Sequence, residues 1–98
     1  MNMQAMMRQA QNIQKEMMKT IEEVDKKEFE GESGLVKIKT NGKKEILSIK
    51  IDKEAKIESD DIEMLEDMIV VAINNTFKKV DDYKENKLSK YGNISGLF

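Results

Sequence analysis

The side chains of this 98-residue chain that could do chemistry are cations and carboxylates, because histidine and cysteine are both absent. Without imidazole there is no base of ordinary pKa near neutrality. Without a thiol there is no thiolate nucleophile and no disulfide. No glycine-rich loop of the kind that cradles phosphate is present. The expectation is a protein that is not an enzyme and takes no cofactor and no metal. What is left is ion pairing. The basic side chains gather at the two ends: Arg8, Lys15 and Lys19 near the start, and Lys78, Lys79, Lys84, Lys87 and Lys90 near the close. Residues 1–21 hold three bases against one acid and residues 77–98 five against three, whereas residues 54–68 hold seven acids and one lysine. The lysines near the close either complement the negative end of a helix dipole or hold an anion, and spacing alone leaves both open. One arginine and no tryptophan leave little for bidentate reading of base edges or for base stacking.

Two helices must carry these cations. Met3, Met6, Ala10, Ile13, Met17, Ile21 and Val24 recur at steps of three or four, with Met7 and Met18 widening the stripe. That spacing predicts an amphipathic helix from about Met3 to Val24, with Gln4, Arg8, Gln11, Lys15 and Lys19 on its polar side. Methionine makes the apolar face adaptable, suited to packing against another helix or a partner. A second helix is expected from about Asp60 to Ser89, burying Ile62, Leu65, Ile69, Ala72, Ile73, Thr76 and Val80. Ser59 is its expected N-cap. Asp60, Asp61 and Glu63 crowd its first turn, where the dipole favours negative charge, and that accounts for much of the acidic cluster. Gly92 is expected to end this helix and to leave about 92–98 as a flexible tail.

Between the helices the period changes to two. Lys26 to Ser33 alternates Glu28, Glu30 and Glu32 with Phe29 and Gly31, and reads as a first strand ended by a turn at Ser33-Gly34. Val36, Ile38 and Thr40 share one face of a second strand, and Leu47, Ile49 and Ile51 one face of a third. Asn41-Gly42 marks the hairpin between them. A three-residue loop would turn one apolar set to solvent. A four-residue loop, Asn41 to Lys44, is therefore expected, setting Ile38 opposite Leu47 and Val36 opposite Ile49. On the outer face the glutamates are expected beside Lys37, Lys39 and Lys50 as cross-strand ion pairs.

Length and composition bound the rest. One domain spanning 1–98 is expected, of α+β class in the order α-β-β-β-α, with a small three-stranded antiparallel sheet and two long helices. Charged residues make up 37% and hydrophobic ones 39%, and the net charge of -2 speaks against a simple basic DNA-binder. No apolar run approaches the ~20 residues of a membrane span, and Gln and Arg interrupt the methionines of the N-terminus, unlike a signal peptide. A cytoplasmic protein is expected. The first helix would be ~33 Å long and the second ~45 Å, whereas six-residue strands reach only ~20 Å. The overhanging apolar stripes need a second subunit, so an obligate homodimer is expected, its contacts including Met3, Met6, Met7, Ala10, Ile13, Phe77 and Val80. Antiparallel helices would bring both basic ends together at the tip of an arm.

The order helix, three strands, helix resembles the YbaB/EbfC family of bacterial nucleoid-associated proteins. The resemblance runs over nearly the whole chain: QAQNIQKEM, EGESGLVKIKTNGKKEILSIKID, IEMLEDMIVVAINNTFKK and the small-residue, Leu-Phe ending. Two departures stand out. Ser33-Gly34-Leu35 has fewer glycines than the family carries before the second strand, so that turn should be tighter, and Asn74-Asn75 replaces an Asn-Asp pair. The resemblance implies a tweezer-shaped homodimer that holds double-stranded DNA between helical arms, with modest sequence preference. It further implies a place in the nucleoid and an influence on the expression of many genes. Arg8, Lys15, Lys19, Lys78, Lys79, Lys84, Lys87 and Lys90 would then neutralise phosphates, which releases counterions and makes binding salt-sensitive. The competing expectation is a dimeric interaction module whose methionine-rich helices dock a partner helix.

Overall fold

The computed structural model describes residues 2–92. Helix α1 spans Met3–Lys26, strands β1, β2 and β3 span Glu28–Ser33, Val36–Asn41 and Ile46–Ile51, and helix α2 spans Ile62–Leu88. Single 3₁₀ turns, Ser59–Asp61 and Ser89–Tyr91, bracket α2. The chain is α+β in the order α-β-β-β-α, and it is a rod, 72 Å long and 19 × 14 Å across.

Local chemistry sets the ends of the helices. Asn2 caps α1, its Oδ1 accepting from the Gln4 and Ala5 amides at 3.0 and 3.4 Å. Lys27 turns extended and donates its amide to the Val24 carbonyl. At α2 the expected cap moves by one residue. Ser59 begins the 3₁₀ turn and Glu58 precedes it, its amide donating to the Asp61 carboxylate at 3.1 Å. The carboxylates of Glu58 and Asp61, three residues apart, thus form a capping box and do the work expected of the serine hydroxyl. The tail expected from 92 onward lies, beyond Gly92, outside the described residues.

The sheet is antiparallel in the order β1-β2-β3. The two-residue loop Gly34-Leu35 joins β1 to β2, and Gly34 has φ +52°, where a side chain would also run into Met68. The turn is as tight as its single glycine suggested. The β2–β3 hairpin differs from expectation. Its loop has three residues, Gly42 to Lys44, closed by the Asn41 amide donating to the Glu45 carbonyl at 3.1 Å. Lys44 adopts φ +63°, the left-handed residue that a three-residue loop requires. A regular ladder from there would place Ser48 and Lys50 against the core. A bulge prevents this: Thr40 faces Ile46, Lys39 faces Ser48, and Leu47 is the extra residue. Ile38 therefore lies opposite Ile49 and Val36 opposite Ile51, two residues from the expected register.

Helix α2 lies along one face of β1 and β2 and leaves most of β3 uncovered, reaching only its end at Ile51. Val36, Ile38 and Ala72 form the buried centre, with Ile51, Leu65, Met68, Ile69 and Ile73 packed around them. Burying a side chain of this size is worth ~1.5–3 kcal/mol. Gly31 is required by the closeness of α2, because a Cβ there would collide with Thr76 Oγ1. Gly42 is required in the same way by the Val24 carbonyl, and its amide donates to the Asp25 carbonyl at 3.1 Å. The hairpin tip is thus fastened to the end of α1. It is fastened to α2 as well: Lys44 Nζ lies 2.6 Å from Asp81 Oδ1 and 5.8 Å from the centre of the Phe77 ring.

Candidate nucleic-acid interface

Helix α2 runs back antiparallel to α1 but stops short of its start. The Tyr91 and Thr20 hydroxyls lie 3.4 Å apart, which sets the end of α2 beside residue 20 of α1. Every residue from Asn2 to Glu16 is exposed. From Met3 to Glu16 this part of α1 forms an arm ~20 Å long at 1.5 Å per residue, without a neighbouring element among the described residues.

This offset corrects the expectation that both basic ends meet at an arm tip. Arg8 and Lys15 stand out on the arm alone, while Lys87 and Lys90 lie near the level of Thr20. The cations are strung along the rod rather than gathered. The reason is length: α1 reaches well past the last turn of α2.

The environments of the expected contact residues differ. Arg8, Lys15 and Lys19 are exposed and, together with Lys26, recur at steps of seven, four and seven, so they form one stripe along α1. Helical geometry puts this stripe opposite Met3, Met6 and Met17, with Met7 and Met18 about a quarter-turn away. Lys78 Nζ pairs with Asp82 Oδ2 at 3.0 Å, and Lys79 Nζ donates to the Glu30 carbonyl at 2.8 Å. Lys84 is half-buried. Lys87 and Lys90 lie over the rings of Tyr83 and Tyr91, at 5.6 and 5.1 Å from their centres. Sequence reading missed Lys26 as the fourth member of the stripe, although its spacing from Lys19 was visible. Lys26 Nζ is 3.5 Å from Glu22 Oε1, an exposed pair of small worth. On the outer face of the sheet Lys39 sits between Glu28 and Glu30, at 3.8 and 3.7 Å, as its position opposite Glu30 foretold. Lys37 faces Glu32 on one side and Lys50 on the other.

The expected dimer contacts also divide. Met3, Met6, Met7, Ala10 and Ile13 line the bare arm, and Met3 is 74% exposed. Phe77 is half-buried beneath Lys44. Val80 is 0% exposed and packs wholly inside the subunit, which removes it from any surface. A second apolar surface was not foreseen. Ile46 and Ile49 share the inner face of the sheet with Thr40 and Ile38, yet remain 44% and 47% exposed because α2 does not cover that part of β3. Beside them runs the flank of α2 turned away from β1. Asn75 and Lys79 reach the β1 carbonyls of Glu32 and Glu30, so Ile62, Ile69, Ile73 and Phe77 mark the opposite flank, with Val70 next to them.

Comparison with known proteins agrees with this architecture. The chain is 41% identical to a nucleoid-associated protein of Clostridium novyi (strain NT), over 100% of this chain and 90% of that one. It is 39% identical to a nucleoid-associated protein of Ligilactobacillus salivarius, over 99% and 95%. The crystal structure of an uncharacterized protein from Helicobacter pylori superimposes with a TM-score of 0.70 over 88% of this chain and 91% of that one. At 22% identity it speaks for the fold alone. A family model described as the YbaB/EbfC DNA-binding family matches residues 1–94, and with the helix–sheet–helix order and the arm already in view, the chain belongs to that family.

Proposed function

We propose that this chain binds double-stranded DNA as a homodimer, mainly through backbone phosphates and with low sequence specificity. The observation that carries the reading is the stripe Arg8, Lys15, Lys19 and Lys26, exposed along α1 and backed by methionines on the opposite side. An arm built this way offers cations to a duplex and its apolar face to protein at the same time. Lys78, Lys79, Lys84, Lys87 and Lys90 extend the contact along α2. Lys78 and Lys79 first give up the partners they hold. The homodimer forms through Met3, Met6, Met7, Ala10 and Ile13 on the arm, with Phe77 contributing from α2 beside the β2–β3 hairpin tip. The acidic start of α2, at the far end of the rod, repels DNA and confines contact to the arms. Such binding places the protein on the cytoplasmic nucleoid, where coating or shaping DNA alters the expression of many genes.

Each neutralised phosphate contributes about -0.9 to the slope of log K against log salt. Gel retardation of a random-sequence duplex at two salt concentrations tests the reading. Retardation that weakens steeply with salt supports it, and none at low salt overturns it. The bare methionine stripe also favours a second reading, in which the dimer docks a partner helix in place of DNA. Absence of retardation together with a stoichiometric co-purifying protein selects that reading.

A further inference from the structure

We propose that the free edge of β1 is a docking site for an extended segment of another protein, one carrying lysine or arginine at every second residue, and that Asn75 and Lys79 of α2 seal this edge until the segment displaces them. The sheet ends at β1 on this side. The two-residue turn Gly34-Leu35 makes Ser33 and Val36 a hydrogen-bonded pair, and such pairs alternate along an antiparallel ladder. Glu30 and Glu32 fall on the other parity, so both turn amide and carbonyl away from β2. Side chains of α2 already answer the carbonyls. Lys79 Nζ donates to that of Glu30 at 2.8 Å, and Asn75 Nδ2 to that of Glu32 at 3.5 Å. An open strand edge is a template for a further strand, and side chains that satisfy its backbone hold the template closed. Asn75 and Lys79 are both exposed, so an incoming strand can turn them aside.

The surroundings select the occupant. Two shallow hollows, of about 240 and 350 Å³, adjoin the edge and share Gly31, Glu32 and Lys79, one reaching to Lys37 and the other to Asp82. Residues 28–32 offer ~14 Å of edge, the length of about five residues of extended chain. On its outer face β1 presents Glu28, Glu30 and Glu32 in a row. Lys39 approaches Glu28 and Glu30 from the β2 side, at 3.8 and 3.7 Å, and the Glu30 side chain remains 73% exposed. Cations on a strand laid along the open side complete these pairs. On the inner face that strand meets the flank of α2 at Asn75, Lys78 and Asp82, which suits small polar side chains. A second copy of this chain does not fit. Its β1 would set glutamate against glutamate, and its β3 would set isoleucines against the polar flank.

Docking also acts on the duplex contact, and this consequence alone rests on the DNA reading above. Lys79 is one of the cations that reading sets against phosphate, and the Glu30 carbonyl holds it in the sealed state. A strand that takes its place at the edge releases Lys79 toward DNA. By reciprocity, DNA that withdraws Lys79 opens the edge, so each partner strengthens the binding of the other.

Fluorescence anisotropy of a labelled peptide of alternating lysine and threonine, titrated with the full chain at low salt, tests the docking. A fully N-methylated copy of the peptide keeps the charge and cannot pair with a strand edge. The plain peptide is expected to bind, the N-methylated one several-fold more weakly, and the plain peptide should move the amide chemical shifts of residues 28–32. Lys79→Met removes the sealing donor and keeps its stem, and it should bind the plain peptide about fivefold tighter, the worth of one hydrogen bond. Glu30→Gln with Glu32→Gln should bind it several-fold more weakly. All three side chains are exposed, so folding should survive, and far-UV circular dichroism verifies that. No binding, equal binding of the two peptides, shifts away from β1, or no gain in Lys79→Met overturns the proposal. A chain that binds the peptide at β1 yet retards no duplex counts against the proposed function and not against the edge.

Discussion

Replacing Arg8, Lys15 and Lys19 together by glutamine removes three exposed cations per chain and six per dimer while keeping good helix formers in place. Six phosphate contacts give a salt slope of about -5, at about -0.9 each. Between 50 and 200 mM salt that slope amounts to roughly a thousandfold in affinity. The other candidates contribute less. Lys78 and Lys79 already hold Asp82 and the Glu30 carbonyl, so only part of their attraction reaches a phosphate. Lys87 and Lys90 sit over tyrosine rings near the end of α2. The triple variant should therefore lose most of the slope, and alanine at Lys84, Lys87 and Lys90 a smaller part. Fluorescence anisotropy of a labelled random duplex, titrated at several salt concentrations, measures both. A triple variant that keeps the full slope would refute the reasoning, because phosphate contact would then lie off the arm.

Other expected outcomes concern the scaffold. Thr40 is fully buried and its hydroxyl has no hydrogen-bond partner among the described residues, so Thr40→Val should stabilise the protein by about 1 kcal/mol in urea denaturation. A clear loss of stability would show that the hydroxyl is satisfied. Gly31→Ala should destabilise by ~1–3 kcal/mol, since its methyl collides with Thr76 Oγ1, and adding Thr76→Ala should recover part of the loss. Asn2→Ala removes the cap of α1 and should cost ~0.5–2 kcal/mol of helix stability, seen as fraying of the arm in circular dichroism or amide exchange.

The helices and strands were legible because each follows one period. The stripe Met3 to Val24 gave α1 within two residues of its end, and Phe29, Val36 and Ile38 gave the inward faces of the first two strands. The β2–β3 register was not legible. It depends on a lysine at φ +63°, which carries no turn signal of its own, and on Leu47 as a bulge, which reads as one more apolar strand residue. Parity correctly required Ile49 and Ile51 to face the core side, but a loop of odd length plus a bulge satisfies parity as well as an even loop does. Alternation in β3 likewise announces an apolar face without saying whether a helix covers it, so the exposure of Ile46 and Ile49 escaped notice. The arm charges were readable as a stripe. Their distance from Lys87 and Lys90 was not, because the offset of two antiparallel helices is fixed by the hairpin clamp at Gly42 and Lys44, far from either basic cluster.

The central claim is that DNA meets the half of α1 that outruns α2. Amide chemical shifts of isotopically labelled protein, followed while a random-sequence duplex is added at low salt, test it most directly. The account predicts the largest changes around Arg8, Lys15 and Lys19, smaller ones near Lys87, and almost none from Glu58 to Asp67. Changes centred on the acidic start of α2 or on the sheet, with the arm silent, would contradict it.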